Sequence, residues 1–334
     1  NAYMKKNVSK YAKIAGIICG IVVALVAVFN ICIYNFVFLP NFSRATKERT
    51  VEHEIKFYAG EENYKRHLAD SEYIDSLNLP LIEITSFDSL KLKALVWNSE
   101  NSSSCRGTVL LMHGFQSGPV REFATIARFF HKMNFNVVMP YQRSHGLSEG
   151  KFITFGIKER YDCRDWMLKI NEIYGNDLPL FVGGISMGCA TVTMASGLDL
   201  PYNVRGIIAD CGFTEPYEIV RWTMTDEMHI WPGVAKILLD SAGWYCKKIG
   251  GFGLKEYSTL KALEKTQLPF LFMTGTDDHT VPYEMTVTNF MLYKQRFPEK
   301  TKLVLFENVP HAVSYIVDWD RYEKELTKFV EKYN

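Results

Sequence analysis

The sequence predicts an α/β fold, an eight-stranded and mostly parallel sheet covered by helices on both faces. Six short, uninterrupted apolar runs recur along the chain in the pattern of strands buried on both faces: Thr108 to Met112, Asn136 to Met139, Leu180 to Gly183, Val204 to Ala209, Phe270 to Thr274 and Lys302 to Phe306. Helical stretches lie near Val120 to Lys132, Gly156 to Tyr174, Met187 to Gly197, Met285 to Arg296 and Trp319 to Tyr333, and strand alternating with helix gives a parallel sheet between helical layers. Ahead of these runs, Leu81 to Thr85 and Leu90 to Trp97 alternate apolar and polar residues as an antiparallel pair does. With 334 residues, 47% apolar and 22% charged, the chain can bury a full core.

A different kind of segment precedes the sheet. From Ile14 to Ser43 there is no charged side chain, and Ile14 to Leu39 is almost wholly apolar; a helix of that length exceeds a bilayer core of about 30 Å. Residues 14–39 are therefore expected to form one membrane-spanning helix. A cleaved signal peptide is the alternative, but its apolar core runs about 7 to 15 residues before a small-x-small site, and here the run continues past Ala27. Lys5, Lys6, Lys10 and Lys13 precede the span with no acid among them, whereas Arg44, Lys47 and Arg49 follow it with Glu48 between. On this bias residues 1–13 are expected in the cytoplasm and the rest of the chain beyond the span outside it, on a single-pass cell-membrane protein. Asn1-Ala2-Tyr3 ahead of Met4 reads as an expression remnant. Residues 40–80 are polar and charge-rich, a juxtamembrane connector with one or two helices expected over Glu61 to Leu77; residues 81–334 are the expected folded domain.

Composition excludes some functions. A net charge of +1 with scattered basic residues gives no footprint for nucleic acid. The seven cysteines show no C-x-x-C and no Cys/His ligand spacing, so no metal and no cofactor are expected, and their odd number and spread suit small buried side chains rather than a disulfide framework.

The chemistry is concentrated in Gly184-Ile185-Ser186-Met187-Gly188, which follows the apolar stretch Leu178 to Val182 and opens a run of small residues. Strand, sharp turn and helix around G-x-S-x-G is the context of a nucleophile elbow, which makes Ser186 the candidate nucleophile. Chance alone produces the bare pattern in about one such chain in ten, so its partners decide. Downstream, Gly275 to Pro282 and Val309-Pro310-His311-Ala312 each follow a strand, delivering an acid and a histidine to the same sheet edge in the order Ser, Asp, His. His311 is the expected general base. Asp277 and Asp278 compete to orient it; His279, on the acid's own loop, is the less favoured histidine. After the strand Thr108 to Met112 comes His113-Gly114-Phe115-Gln116, and the backbone N–H groups of Phe115 and Met187 are the expected oxyanion donors.

About 60 residues separate the strand ending near Asp210 from that starting at Phe270, more than one crossover helix requires. The insertion, about residues 215–255, is expected to form a helical cap whose aromatic and methionine side chains, Trp222, Met224 and Trp231 among them, line a substrate pocket or anchor the cap.

His113-Gly114, Arg143-Ser144-His145-Gly146-Leu147-Ser148, the elbow at Ser186, Asp278 with Val281-Pro282, and His311-Ala312 together resemble the serine hydrolases of the α/β-hydrolase superfamily. With Ile208-Ala209-Asp210-Cys211 and His311 to Tyr315, the chain looks more narrowly like the N-terminally anchored α/β hydrolases of Gram-positive bacteria. The likeness covers about Leu81 to Tyr333 and selects Asp278, three residues before Val281-Pro282, as the triad acid. It implies a serine esterase that forms an acyl-enzyme from a small-molecule or lipid-like ester. A peptidase or acyltransferase would use the same triad, and a non-catalytic binding protein the same fold. Ser144 stands where the family loop carries a glycine, and Cys189 follows Gly188, as a packed side chain rather than a catalyst.

Overall fold

The computed structural model describes residues 2–33 and 44–334. Eight strands form one sheet: β1 (Leu81–Thr85), β2 (Lys91–Trp97), β3 (Gly107–Met112), β4 (Phe135–Pro140), β5 (Leu180–Ile185), β6 (Val204–Asp210), β7 (Phe270–Gly275) and β8 (Thr301–Phe306). Their order across the sheet is β1-β2-β4-β3-β5-β6-β7-β8, with β2 antiparallel to both neighbours and the remaining pairs parallel. These are the strands expected from the sequence, with ends moved by a residue or so.

The helices are α1 (Ala2–Ile33), α2 (Arg44–Ser76), α3 (Pro119–Lys132), α4 (Glu159–Tyr174), α5 (Met187–Ala195), α6 (Pro216–Trp222), α7 (Pro232–Tyr245), α8 (Thr259–Leu263), α9 (Tyr283–Lys294), α10 (Ser314–Val317) and α11 (Trp319–Tyr333). Alternate residues of each central strand feed opposite cores. Val109 and Leu111 of β3 face α3 and α11, packing with Phe123, Phe130, Leu326 and Phe329. Leu110 and Met112 face α4, α5 and α9 with Trp166, Val192 and Tyr293. Both faces being covered, the strands carry no polar alternation. One helix starts later than expected: Gly156 takes φ 90°, and the Glu159 carboxylate accepts from the N–H groups of Thr154 (2.8 Å) and Gly156 (2.9 Å), so α4 begins at Glu159.

α1 contains a stretch, Lys10–Phe29, long and apolar enough to cross a membrane; residues 34–39 of the expected span lie outside the described residues. α2 extends well beyond the expected Glu61 to Leu77, with a break at Gly60 (φ 77°, ψ 162°). Its second half packs on the folded domain. Tyr58 donates to Asp277 Oδ2 (3.0 Å), Asn63 to the Val317 carbonyl (3.4 Å), and Asp70 pairs with Arg128 of α3.

Behind the sheet edge, the Arg143 guanidinium is buried (2% exposed) between Asp162 (Nε to Oδ2, 2.6 Å) and Asp88 (Nη1 to Oδ2, 2.9 Å). Burial works against its charge, but the bonds to Asp162 and Asp88 outweigh it and hold the guanidinium charged. Arg143→Ala would leave Asp162 as an uncompensated buried charge. Urea unfolding at pH 7 should show a loss of about 3–5 kcal/mol, and a change below about 1 kcal/mol would contradict this assignment.

Candidate active site

The sharp turn after β5 holds Ser186 at φ 56°, ψ −119°, a region that side chains rarely occupy. Two glycines make it feasible. A Cβ on Gly188 would lie 1.8 Å from the Met112 carbonyl oxygen, and one on Gly184 would lie 2.3 Å from that of Gly188. The turn therefore sits directly against the end of β3. Ser186 N donates to the Asp210 carbonyl at 2.9 Å, tying the elbow to β6.

The loops after β7 and β8 bring two further side chains to this point. His311 Nε2 lies 2.8 Å from Ser186 Oγ, and His311 Nδ1 lies 2.6 Å from Asp278 Oδ2. Asp278 is buried, and its Oδ1 accepts from the N–H groups of Thr280 (3.1 Å) and Val281 (2.8 Å). An acceptor on Nδ1 fixes the proton there, leaving Nε2 to face the hydroxyl. Asp277 is placed elsewhere, against Tyr58 and the exposed His279. Burial opposes the imidazolium, but the charge and hydrogen bond of Asp278, with Glu122 and Asp210 beyond it, raise the His311 pKa above the ordinary histidine value.

The loop after β3 lies against Ser186. A Cβ on Gly114 would come within 3.3 Å of Ser186 Cβ, and the Phe115 ring stacks on Phe155 with centroids 5.3 Å apart. Met187 opens α5, so its N–H belongs to the first turn, which lacks intrahelical acceptors. His113 is fully buried, its Nε2 3.0 Å from the Gln142 N–H and its Nδ1 2.8 Å from the Gly114 carbonyl; burial, with His145 nearby, pushes its pKa down to about 3, so it is a neutral brace. His145 braces the same loop, its Nε2 accepting from the Gln116 N–H at 3.0 Å.

Two carboxyls here carry no role in the sequence reading. Glu122, in the first turn of α3, accepts from the Gly114 N–H at 2.5 Å, and burial pushes its pKa up to about 7. Asp210, at the end of β6, accepts from Tyr322 Oη at 2.9 Å; its Oδ1 is buried without a hydrogen-bond partner among the described residues, and burial again raises its pKa to about 7. The signals in the sequence were positional, Glu122 lying three residues after Pro119 and Asp210 at a strand end, together with the place of Asp210 in Ile208-Ala209-Asp210-Cys211.

The cap comprises α6, a π-helical turn Thr223–Glu227, α7 and a second π-helical turn Cys246–Gly250. Met224 is buried in the same apolar cluster as Met187, Phe213 and Leu239, while Trp222 is partly buried and donates to the His279 carbonyl at 3.3 Å. Trp231 departs from the expectation. It precedes Pro232 at the start of α7, where the backbone is held extended, and its ring is 73% exposed on the outer surface, over Gly233. Cys211 Sγ, an Asp278 oxygen and a His311 nitrogen fall within 4.8 Å of one another, but burial keeps the Cys211 thiol protonated, and both His311 nitrogens face other partners, so the group is not a ready ligand set. Cys189 is buried and its thiol pKa raised, which makes it inert.

A model of the serine aminopeptidase family S33 matches residues 103–241. The chain is 27% identical to the uncharacterized protein YqkD of Bacillus subtilis over 229 residues, 68% of this chain and 72% of that one. It is 26% identical to the alpha/beta hydrolase domain-containing protein WAV2 of Arabidopsis thaliana, over 75% of this chain and 78% of the other. Among solved structures, the Pyrococcus furiosus esterase Pf2001 superposes with a TM-score of 0.62 at 19% identity, covering 78% of this chain and 93% of the esterase. An acylaminoacyl peptidase of Pyrococcus horikoshii superposes with a TM-score of 0.56 at 15% identity, over 79% of this chain and 43% of the other. The eight-stranded sheet, its helical layers and these likenesses show that the chain has the α/β-hydrolase fold.

Proposed function

We propose that the protein is a membrane-anchored serine hydrolase that cleaves carboxylic esters through an acyl-enzyme. The observation that carries this reading is the unbroken line from Asp278 Oδ2 through His311 to Ser186 Oγ, with contacts of 2.6 and 2.8 Å. Ser186 Oγ attacks the ester carbonyl carbon while its proton passes to His311 Nε2. Asp278 holds the tautomer and stabilises the imidazolium. The N–H groups of Phe115 and Met187 receive the developing oxyanion. Collapse expels the alkoxide, which takes the proton from His311, and water, deprotonated by the same nitrogen, releases the acid from Ser186. Helix α1 supplies the anchor, and the lysine bias ahead of it supports a domain outside the cytoplasm.

Glu122 joins the account as a positioning residue. Its bond to the Gly114 N–H fixes the residue before Phe115, and its charge is one of those that raise the His311 pKa.

A peptidase is the second reading, favoured by the serine aminopeptidase family model and the acylaminoacyl peptidase likeness. A panel of p-nitrophenyl esters from acetate to palmitate beside aminoacyl p-nitroanilides separates the two. Esters should be turned over faster than every anilide, and the reverse order would move the assignment to a peptidase.

Ser186→Ala should lower kcat by about 10⁶-fold on the best ester, and retention of near-wild-type turnover would end the serine mechanism. Since the neutral imidazole is the base, kcat/KM should fall as pH drops through the His311 pKa, with an acidic limb above the ordinary value of about 6.5. Glu122→Gln keeps an acceptor for Gly114 but loses the charge, so the limb should move to lower pH; Glu122→Ala should in addition cost about 10²–10³ in kcat by releasing the oxyanion loop. An unchanged pH profile in both variants would remove Glu122 from the account.

A further inference from the structure

The cap helix α7 is apolar on two opposite sides. Ala235, Leu239, Ala242 and Cys246, spaced three and four apart, are buried against the domain. Val234, Ile237 and Trp244 form a second stripe facing outward, with Ile237 65% and Trp244 64% exposed. Met228 and Trp231 ahead of the helix and Ile249 after it extend the exposed stripe. The only charged side chains on α7, Lys236 and Asp240, pair with each other at 2.7 Å along one edge. A helix apolar on both sides belongs in a core or against lipid, and an exposed patch of this kind on a domain surface marks an interaction site.

We infer that this outward face of the cap is seated in the bilayer that holds α1, and that the site at Ser186 draws on esters carried in that bilayer; the inference rests on the membrane-anchored hydrolase reading. Continuity identifies the occupant. α1 packs alongside α7, and Phe29, the last residue of the stretch fit to span a membrane, packs into the cap's apolar cluster with Leu239 and Phe252. Acyl chains around that end of α1 therefore reach the exposed stripe. The side chains suit an interface: two tryptophans with apolar bodies and polar N–H tips, followed by the exposed Lys247 and Lys248, which match the headgroup phosphates of anionic lipid. The same placement accounts for Trp231 lying on the outside of the cap. The cap also touches the acid loop, through Trp222 and the His279 carbonyl, so a cap resting on lipid keeps the catalytic edge near the membrane.

The full chain supplies its own probe, because all six tryptophans, Trp97, Trp166, Trp222, Trp231, Trp244 and Trp319, lie outside α1. The test reconstitutes it in phosphatidylcholine/phosphatidylglycerol vesicles with and without bromine on the acyl chains. Bromination should remove about a third of the tryptophan emission, two of the six being in the patch. That quenching should vanish in Trp231→Phe/Trp244→Phe and fall in Val234→Glu/Ile237→Glu. Equal emission in both vesicles, or quenching unchanged in these variants, overturns the seating in lipid; so does a dimer cross-linked through the patch in a protein that bromine does not quench. For the substrate, Val234→Glu/Ile237→Glu should lower turnover of a vesicle-borne long-chain ester roughly tenfold relative to a short soluble ester, and an unchanged ratio overturns a lipid source. Quenching requires no turnover, so a wild-type protein inactive on the soluble ester would sink the hydrolase reading while leaving the seating measurable on its own.

Discussion

The site depends on one close approach. The backbone of Gly188 lies so near the end of β3 that a single carbon on it would collide with the carbonyl oxygens of Met112 and His113. That contact presses the elbow after β5 against the loop after β3, and it is what brings Gly114 to the side of Ser186. The rest of the candidate site follows from parallel strands ending in register. β5 delivers Ser186, β6 delivers Asp210, and the loops after β7 and β8 deliver Asp278 and His311. The strained backbone at Ser186 is maintained because its N–H is held by the Asp210 carbonyl and the turn has no space in which to relax.

Electrostatics is the second constraint. Three carboxyls, Asp278, Glu122 and Asp210, surround one imidazole, and each favours its protonated form. They differ in how they are held. Asp278 accepts from two backbone N–H groups as well as from His311, whereas Glu122 and Asp210 are buried with fewer donors and have pKa values raised to about 7. Asp278, with more donors, is the carboxylate that fixes the His311 ring, while burial pushes Glu122 and Asp210 up to about 7, and Glu122 also braces the loop after β3.

Much of this was legible in the sequence, for a physical reason. Strands buried on both faces, such as β5 and β7, must be apolar throughout, so composition alone marks them. The elbow glycines are dictated by backbone contact, and the order Ser, Asp, His follows from strand ends. What stayed hidden depends on contacts between distant residues. Glu122 and Asp210 look like surface carboxylates until α3 and α11 close over them. The reach of α2 could not be read, since its docking uses Tyr58 on Asp277 and Asn63 on Val317, more than 200 positions away. The start of α4 was misplaced because Glu159 folds back to cap a glycine at positive φ. Trp231 looked like pocket lining because an aromatic residue in a cap has two apolar environments available, and pattern alone does not say which it meets.

The central claim is that Ser186 is a nucleophile activated by His311. Its most direct test is to incubate the vesicle-reconstituted protein with a fluorophosphonate and locate the adduct by peptide mass spectrometry. The account predicts one phosphonyl group per chain, on Ser186, at a rate that falls sharply when His311 is replaced by alanine. An unlabelled Ser186, or labelling as fast in the His311→Ala variant as in the wild type, would contradict it.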